Sequence, residues 1–149
     1  TSYTSRAAER MRKQESVATS LYVYVRTSPH DDKNQYANGV NIPLFQPSDD
    51  TMVLTNAALL GLNYIYRDGF DYQKAGITLC NLTSKHKVQG NLFNNTISNA
   101  RMKVLDTINQ RWKGKLTLGS EGVTKEWEMR ANFKSKNYTT NWDQLIIAH

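Results

Sequence analysis

An α+β fold, a two-layer sandwich with helices covering one face of a small sheet, is the architecture this sequence predicts. Three observations lead there. Apolar Tyr3, Ala7 and Met11 recur at helical spacing in the first segment. Strict alternation follows from Val17 to Thr27 and returns from Tyr72 to Leu82, the two-residue period of half-buried strands. Between the alternating segments a further run places its apolar residues on one helical face. The order helix, strand, strand, helix, strand lets both helices lie against one side of the sheet and leaves the other side open.

The elements follow in order. The first helix, within Tyr3 to Glu15, carries a separate basic stripe of Arg6, Arg10 and Lys13. In the first strand Leu21, Val23 and Val25 point one way, and Tyr22, Tyr24 and Arg26 the other. Ser28-Pro29 through Asn38-Gly39 is rich in turn formers and connects to a second short strand, Val40 to Phe45. Pro43 assigns that strand to an edge or sets it beside a bulge, because proline cannot donate to a ladder. Ser48, Asp49 and Asp50 offer N-caps for a helix whose buried face is Leu54, Ala57, Ala58, Gly61, Leu62 and Ile65. Asp68-Gly69 ends it with a left-handed glycine. The third strand turns Ala75, Ile77 and Leu79 to the core and Tyr72, Lys74 and Thr78 to the open side.

Ser84 to Thr96 has no periodicity and reads as a linker. After it Ile97, Ala100, Val104, Leu105, Ile108 and Trp112 share one helical face, Arg101, Lys103 and Lys113 lie off it, and Gly114 closes the helix. Leu116 to Leu118 is a candidate strand, and Trp127, Met129, Phe133 and Trp142 supply apolar mass for a small C-terminal α+β extension. The expected organisation is therefore a domain over 1–83, a linker over 84–96 and an extension over 97–149.

With 149 residues and 39% apolar content, the chain buries one modest core or a small domain with an appended subdomain. It has no apolar run of membrane-spanning length and no apolar signal-peptide core at its polar start, so a soluble, cytoplasmic protein and no membrane partner are expected. Cys80 has no partner for an internal disulfide and lies in an apolar run, which predicts a buried structural thiol in a reducing compartment. The formal charge is +6. Cations and anions balance at 8 each from Thr1 to Thr83, whereas Ser84 to His149 holds 11 cations against 5 anions. A basic excess points to an anionic partner, nucleic acid first, or to a solvated surface.

Chemistry-bearing residues fall into two groups. Tyr22, Tyr24, Arg26, Tyr72, Lys74 and Thr78 on the open face set rings beside cations and hydroxyls, a combination that holds a sugar-phosphate backbone without reading bases. It is equally the composition of an ordinary wet sheet face. Within the linker, Gln89-Gly90-Asn91-Leu92-Phe93 places two large apolar residues where little local structure would bury them. Such anchors suit a short docking motif in which Leu92 and Phe93 fill a pocket and Gln89 supplies hydrogen bonds. The alternative is a loop folded back to plug the protein's own core. The pattern resembles the peptide with which bacterial polymerases and repair proteins dock on the sliding β clamp.

Catalytic constellations are not evident. Asp31-Asp32 and Asp49-Asp50 are explained by turn formation and N-capping, and His30, His86 and His149 have no metal-ligand spacing. No phosphate loop, nucleophile elbow or zinc pattern appears, so no cofactor or metal is expected in this chain.

Blocks along nearly the whole chain resemble the C-terminal region of UmuC-like, Y-family translesion DNA polymerases. They run from Tyr3-Thr4-Ser5-Arg6-Ala7-Ala8-Glu9-Arg10 through Arg26-Thr27-Ser28-Pro29, Tyr72-Gln73-Lys74-Ala75-Gly76-Ile77 and Leu105-Asp106-Thr107-Ile108-Asn109. Trp127-Glu128-Met129-Arg130 and Ser135-Lys136-Asn137-Tyr138-Thr139-Thr140 complete them, in family order. The resemblance implies a little-finger domain up to about Thr83 and a UmuC-type extension after it. It implies that the open sheet face lies along primer-template DNA, with Arg26, Gln73 and Lys74 on phosphates, and that Gln89, Leu92 and Phe93 dock on the sliding β clamp. Further implied partners are the UmuD′ dimer and RecA, and the implied setting is SOS DNA repair at the bacterial nucleoid. The catalytic magnesium ions belong to the parent polymerase, with no active site in this chain. Two departures stand out. The family's little finger has a strand before the first helix that is missing from this chain, so an unpaired sheet edge is expected. Gly90 stands where relatives often carry leucine, weakening the clamp motif. The alternative function is a stand-alone nucleic-acid-binding or adaptor module.

Overall fold

The longest alternating segment becomes the centre of the sheet. In the computed structural model, which describes residues 1–30, 34–88, 99–112, 116–122 and 135–137, that segment is β1, Ser16–Thr27. Leu21, Val23 and Val25 are buried on one side, as the alternation predicts. Strand β1 pairs antiparallel with β2 (Ala37–Ser48) and with β3 (Tyr72–Cys80), giving the order β2-β1-β3. A two-residue strand, β4 (Thr83–Ser84), pairs with the start of β1. Both outer edges, along β2 and β3, lack a partner strand among the described residues.

Strand β2 extends beyond the Val40 to Phe45 that alternation marks, because a ladder with β1 recruits neighbours that have no pattern of their own. Pro43 sits on this edge strand beside the register shift opposite Ala18 and Ser20, the placement expected of a residue without an N–H.

Helices α1 (Ser2–Lys13) and α2 (Thr51–Ile65) cover one face of the sheet. The inward face of α1 is Ser2, Thr4, Ala8 and Met11 rather than Tyr3, Ala7 and Met11; Tyr3 is 48% exposed. Small Thr4 and Ala8 permit a close approach that a tyrosine ring would prevent. Helix α2 starts at Asp50, whose carboxylate accepts the Met52 N–H at 2.7 Å. It buries Leu54, Ala58, Gly61 and Ile65, four of the six residues its periodicity singles out, with Ala57 and Leu62 half-buried. Gly61 is where helix and sheet meet most closely: a Cβ there would lie 3.1 Å from side-chain atoms of both Ile42 and Val23. The helix stops at Ile65, ahead of Asp68-Gly69; Gly69, at φ +84°, serves the turn into β3 instead.

One ladder irregularity reverses a side chain. Arg26 pairs with Lys74 but Thr27 pairs with Tyr72, so Gln73 is an extra residue and Tyr72 turns to the core side, not to the open face. Its ring packs at 5.4 Å from Tyr66 and edge-on at 6.1 Å to Tyr36. Its hydroxyl bridges the Arg67 N–H and C=O, 2.9 Å each.

Ser84 to Val88, expected to open a linker, instead form the end of β4 and a 3-10 turn, Lys85–Lys87, with the Lys85 N–H donating to the Glu15 carbonyl. Helix α3 spans Asn99–Trp112. Its buried apolar residue is Met102, whereas Val104 and Trp112 are 58% and 49% exposed, so the predicted apolar stripe is not the packed face. An ion pair sets the orientation. Asp106 receives a bidentate contact from Arg12 of α1, Nε to Oδ2 at 2.6 Å and Nη2 to Oδ1 at 2.7 Å. The same guanidinium donates through Nη1 to the Asp49 carbonyl and the Thr51 hydroxyl, and Lys85 pairs with the Asp49 carboxylate at 2.5 Å. Leu116 to Leu118 is not a strand: the Asn109 side chain binds both the N–H and the C=O of Leu116. Among the described residues no helix is long and apolar enough to cross a membrane.

Candidate nucleic-acid interface

Because α1 and α2 occupy one side of the sheet, the opposite side is defined by the outward residues of three strands. Tyr22, Tyr24 and Arg26 stand on β1, with Thr78, Gly76 and Lys74 directly across on β3 and Asn41, Gly39 and Ala37 on β2. The structure therefore brings Arg26, Gln73 and Lys74 together at one end of the open face, all three exposed. Gln73 is there through the bulge.

The electrostatics of this corner are unfavourable in the isolated chain. Side chains directly opposite on antiparallel strands have Cβ atoms roughly 4.5–5.5 Å apart, and like charges in that position repel. Arg26 and Lys74 form such a pair, and neither has an ion-pair partner among the described residues. An anion between them would relieve the repulsion.

Beside the cations the two tyrosines are seated on glycines, a feature sequence reading missed. A Cβ on Gly39 would fall 2.1 Å from the Tyr22 hydroxyl oxygen, and one on Gly76 2.6 Å from Tyr24 ring atoms. Neither glycine has the positive φ that would itself demand glycine, so the need is for space under the rings. The available signal was a Tyr-x-Tyr strand with one glycine in each neighbouring strand.

Other candidates fall elsewhere. Gln89, Leu92 and Phe93 lie outside the described residues, as do Asp31 and Asp32. Asp50 caps α2 and Asp49 is engaged by Lys85, matching the structural role expected of that pair. His86 lies 3.4 Å from Glu15 at the surface. Among the described residues no group of three or more His, Cys, Asp or Glu side chains could hold a metal ion. Cys80 is half-buried at the end of β3, less enclosed than the apolar run around it predicts, and its thiol faces the Thr78 carbonyl at 3.6 Å. At the far end of α2, the charge of Asp68, and then its hydrogen bond, raise the Tyr66 phenol above its ordinary pKa.

Two family models match the chain. The impB/mucB/samB family C-terminal domain covers residues 1–92, and a domain of unknown function, DUF4113, covers residues 100–148. The chain belongs to the impB/mucB/samB family, through that C-terminal domain. Among its relatives, Protein ImpB of Salmonella typhimurium is 34% identical over 151 residues, 98% of this chain and 36% of ImpB. Protein UmuC of Salmonella typhimurium strain LT2 is 34% identical over 97% of this chain, and Protein MucB of Escherichia coli 34% identical over 99%, each match covering 36% of the relative. The chain thus spans little more than a third of the curated relatives it matches, and the resemblance to UmuC-like C-terminal regions is borne out.

Proposed function

We propose that this chain is the non-catalytic C-terminal segment of an error-prone translesion DNA polymerase of SOS DNA repair, working at the bacterial nucleoid. In this reading residues 1–83 grip primer-template DNA, 84–96 carry the motif that docks on the sliding β clamp, and 97–149 contact a protein partner, the UmuD′ dimer or RecA. Polymerase chemistry, with its magnesium ions, belongs to the rest of the parent.

The observation that carries the DNA reading is the Arg26–Lys74 juxtaposition, without an ion-pair partner among the described residues, on a sheet face that none of the described helices covers. Two cations held together at a structural cost, with the Gln73 amide beside them, match the donors a run of phosphates requires, and such contacts grip without reading sequence. Family membership supports the same reading. The bulk charge does not argue for it, since the net excess lies beyond Thr83. The grip rests on a few placed residues. Lys74→Ala is therefore expected to weaken duplex binding equally for unrelated sequences and to reduce the slope of log affinity against log salt by about one. A loss confined to particular sequences would contradict a backbone grip.

A further inference from the structure

We infer that the outward face of α2, with the basic ridge of α1 beside it, is a docking surface for a partner protein that presents an amphipathic helix with an acidic border. The inference goes beyond the DNA grip and the clamp motif, and it uses the side of the domain opposite the open sheet face.

A helix laid on a sheet buries one stripe and turns a charged or polar stripe to water. Helix α2 does only the first. Its inward residues Leu54, Ala58 and Ile65 are buried, yet its outward face carries Met52, Val53, Leu59, Leu60 and Tyr64, exposed from 43% at Leu59 to 71% at Tyr64. The two other outward positions, Asn56 and Asn63, are uncharged, and no charged residue occurs from Thr51 to Tyr66. Single exposed leucines need no account. Five large apolar side chains on one helix face form the kind of exposed patch that marks a protein contact.

Charge selects the occupant. Helix α1 packs beside α2, and Arg12 links the two by donating to the Thr51 hydroxyl at 2.8 Å. The exposed side of α1 holds Arg6, Arg10 and Lys13, and the single acid of that helix, Glu9, pairs with Lys13 at 2.8 Å. The helical layer therefore offers an uncharged apolar strip bordered by cations. A helix laid on such a strip is held through apolar anchors at i, i+3, i+4 and i+7. Acidic residues flanking those anchors would meet Arg6 and Arg10, which speeds encounter and fixes orientation. A second copy of this chain fits less well: a twofold contact uses the same patch on both partners, so it would bring a basic ridge and an uncharged helix. Nucleic acid would meet the arginines and leave the leucines bare.

The test titrates the full 149-residue chain against two labelled peptides by fluorescence anisotropy. One is about as long as α2, with leucine at helical spacing and glutamate elsewhere; its twin carries lysine for glutamate. The glutamate peptide is expected to bind about tenfold more tightly or better. Leu60→Gln with Tyr64→Gln, both at exposed positions and compatible with a helix, is expected to weaken it by about tenfold or more. Arg6→Gln with Arg10→Gln is expected to remove the preference for glutamate over lysine. The inference is overturned if neither peptide binds, if the two bind alike, or if the variant at 60 and 64, folded by circular dichroism, binds as the unsubstituted chain does. Sedimentation decides on a second copy: the unsubstituted chain is expected to be monomeric. A dimer that the variant at 60 and 64 dissociates would give the face to a second copy and overturn the inference.

Discussion

Arg12→Ala is expected to lower the free energy of unfolding by about 2–4 kcal/mol, towards the cost of removing one partner from a buried ion pair, since this pair is largely but not fully enclosed. The Arg12 side chain is only 8% exposed and that of Asp106 16%. Four hydrogen bonds converge on this one guanidinium, from Asp106 on α3 and from the Asp49–Thr51 segment that starts α2. Removing it leaves the Asp106 carboxylate shielded from water without its counter-charge and leaves the Asp49 carbonyl and Thr51 hydroxyl short of a donor. Against a total stability of about 5–15 kcal/mol for a domain of this kind, that is a large fraction. Arg12→Lys is expected to recover little, since an ammonium cannot reproduce the two parallel bonds to one carboxylate. Chemical denaturation of the variants measures the effect, and a double-mutant cycle with Asp106→Ala isolates the pair. A loss below about 1 kcal/mol would class the contact with ordinary surface ion pairs.

Leu92→Ala combined with Phe93→Ala is expected to abolish calorimetrically detectable binding to the sliding β clamp. If both side chains are pocket anchors, each truncation costs roughly 2 kcal/mol or more, so the pair weakens binding by about a thousandfold. A motif containing Gly90 starts from modest affinity, because glycine adds backbone freedom and no contact. A thousandfold loss then falls beyond detection. Gly90→Leu is expected to tighten binding in the same assay. Unchanged affinity in the double variant would remove the tether from the account. In the proposed reading even a weak tether would matter, since it would raise the local concentration of a parent polymerase at a primer end.

The parts of this chain that were legible beforehand are those where one period dominates. Alternation in β1 correctly divided Leu21, Val23 and Val25 from Tyr22, Tyr24 and Arg26, and helical spacing placed Leu54, Ala58, Gly61 and Ile65 of α2 inward. Arg26 and Lys74 were legible for the same reason, as they form the last regular pair of the ladder before the bulge. Tyr72 was misplaced because a single extra residue, Gln73, reverses every side chain beyond it, and nothing local marks a bulge there. The packed face of α3 was misjudged because apolar periodicity carries no information about Arg12, 94 positions earlier. That pairing is a long-range electrostatic choice. The face of α1 was offset because Thr4 and Ala8 bury through smallness, which a search for large apolar residues passes over.

The central claim is that DNA lies on the open side of the sheet, and amide chemical-shift mapping with a short duplex tests it most directly. The account predicts perturbations at Tyr22 to Arg26 and Gln73 to Thr78, with α1 and α2 unchanged, and their loss in a chain carrying Arg26→Ala and Lys74→Ala. Perturbations confined to residues beyond Thr83, where the net positive charge resides, would contradict it.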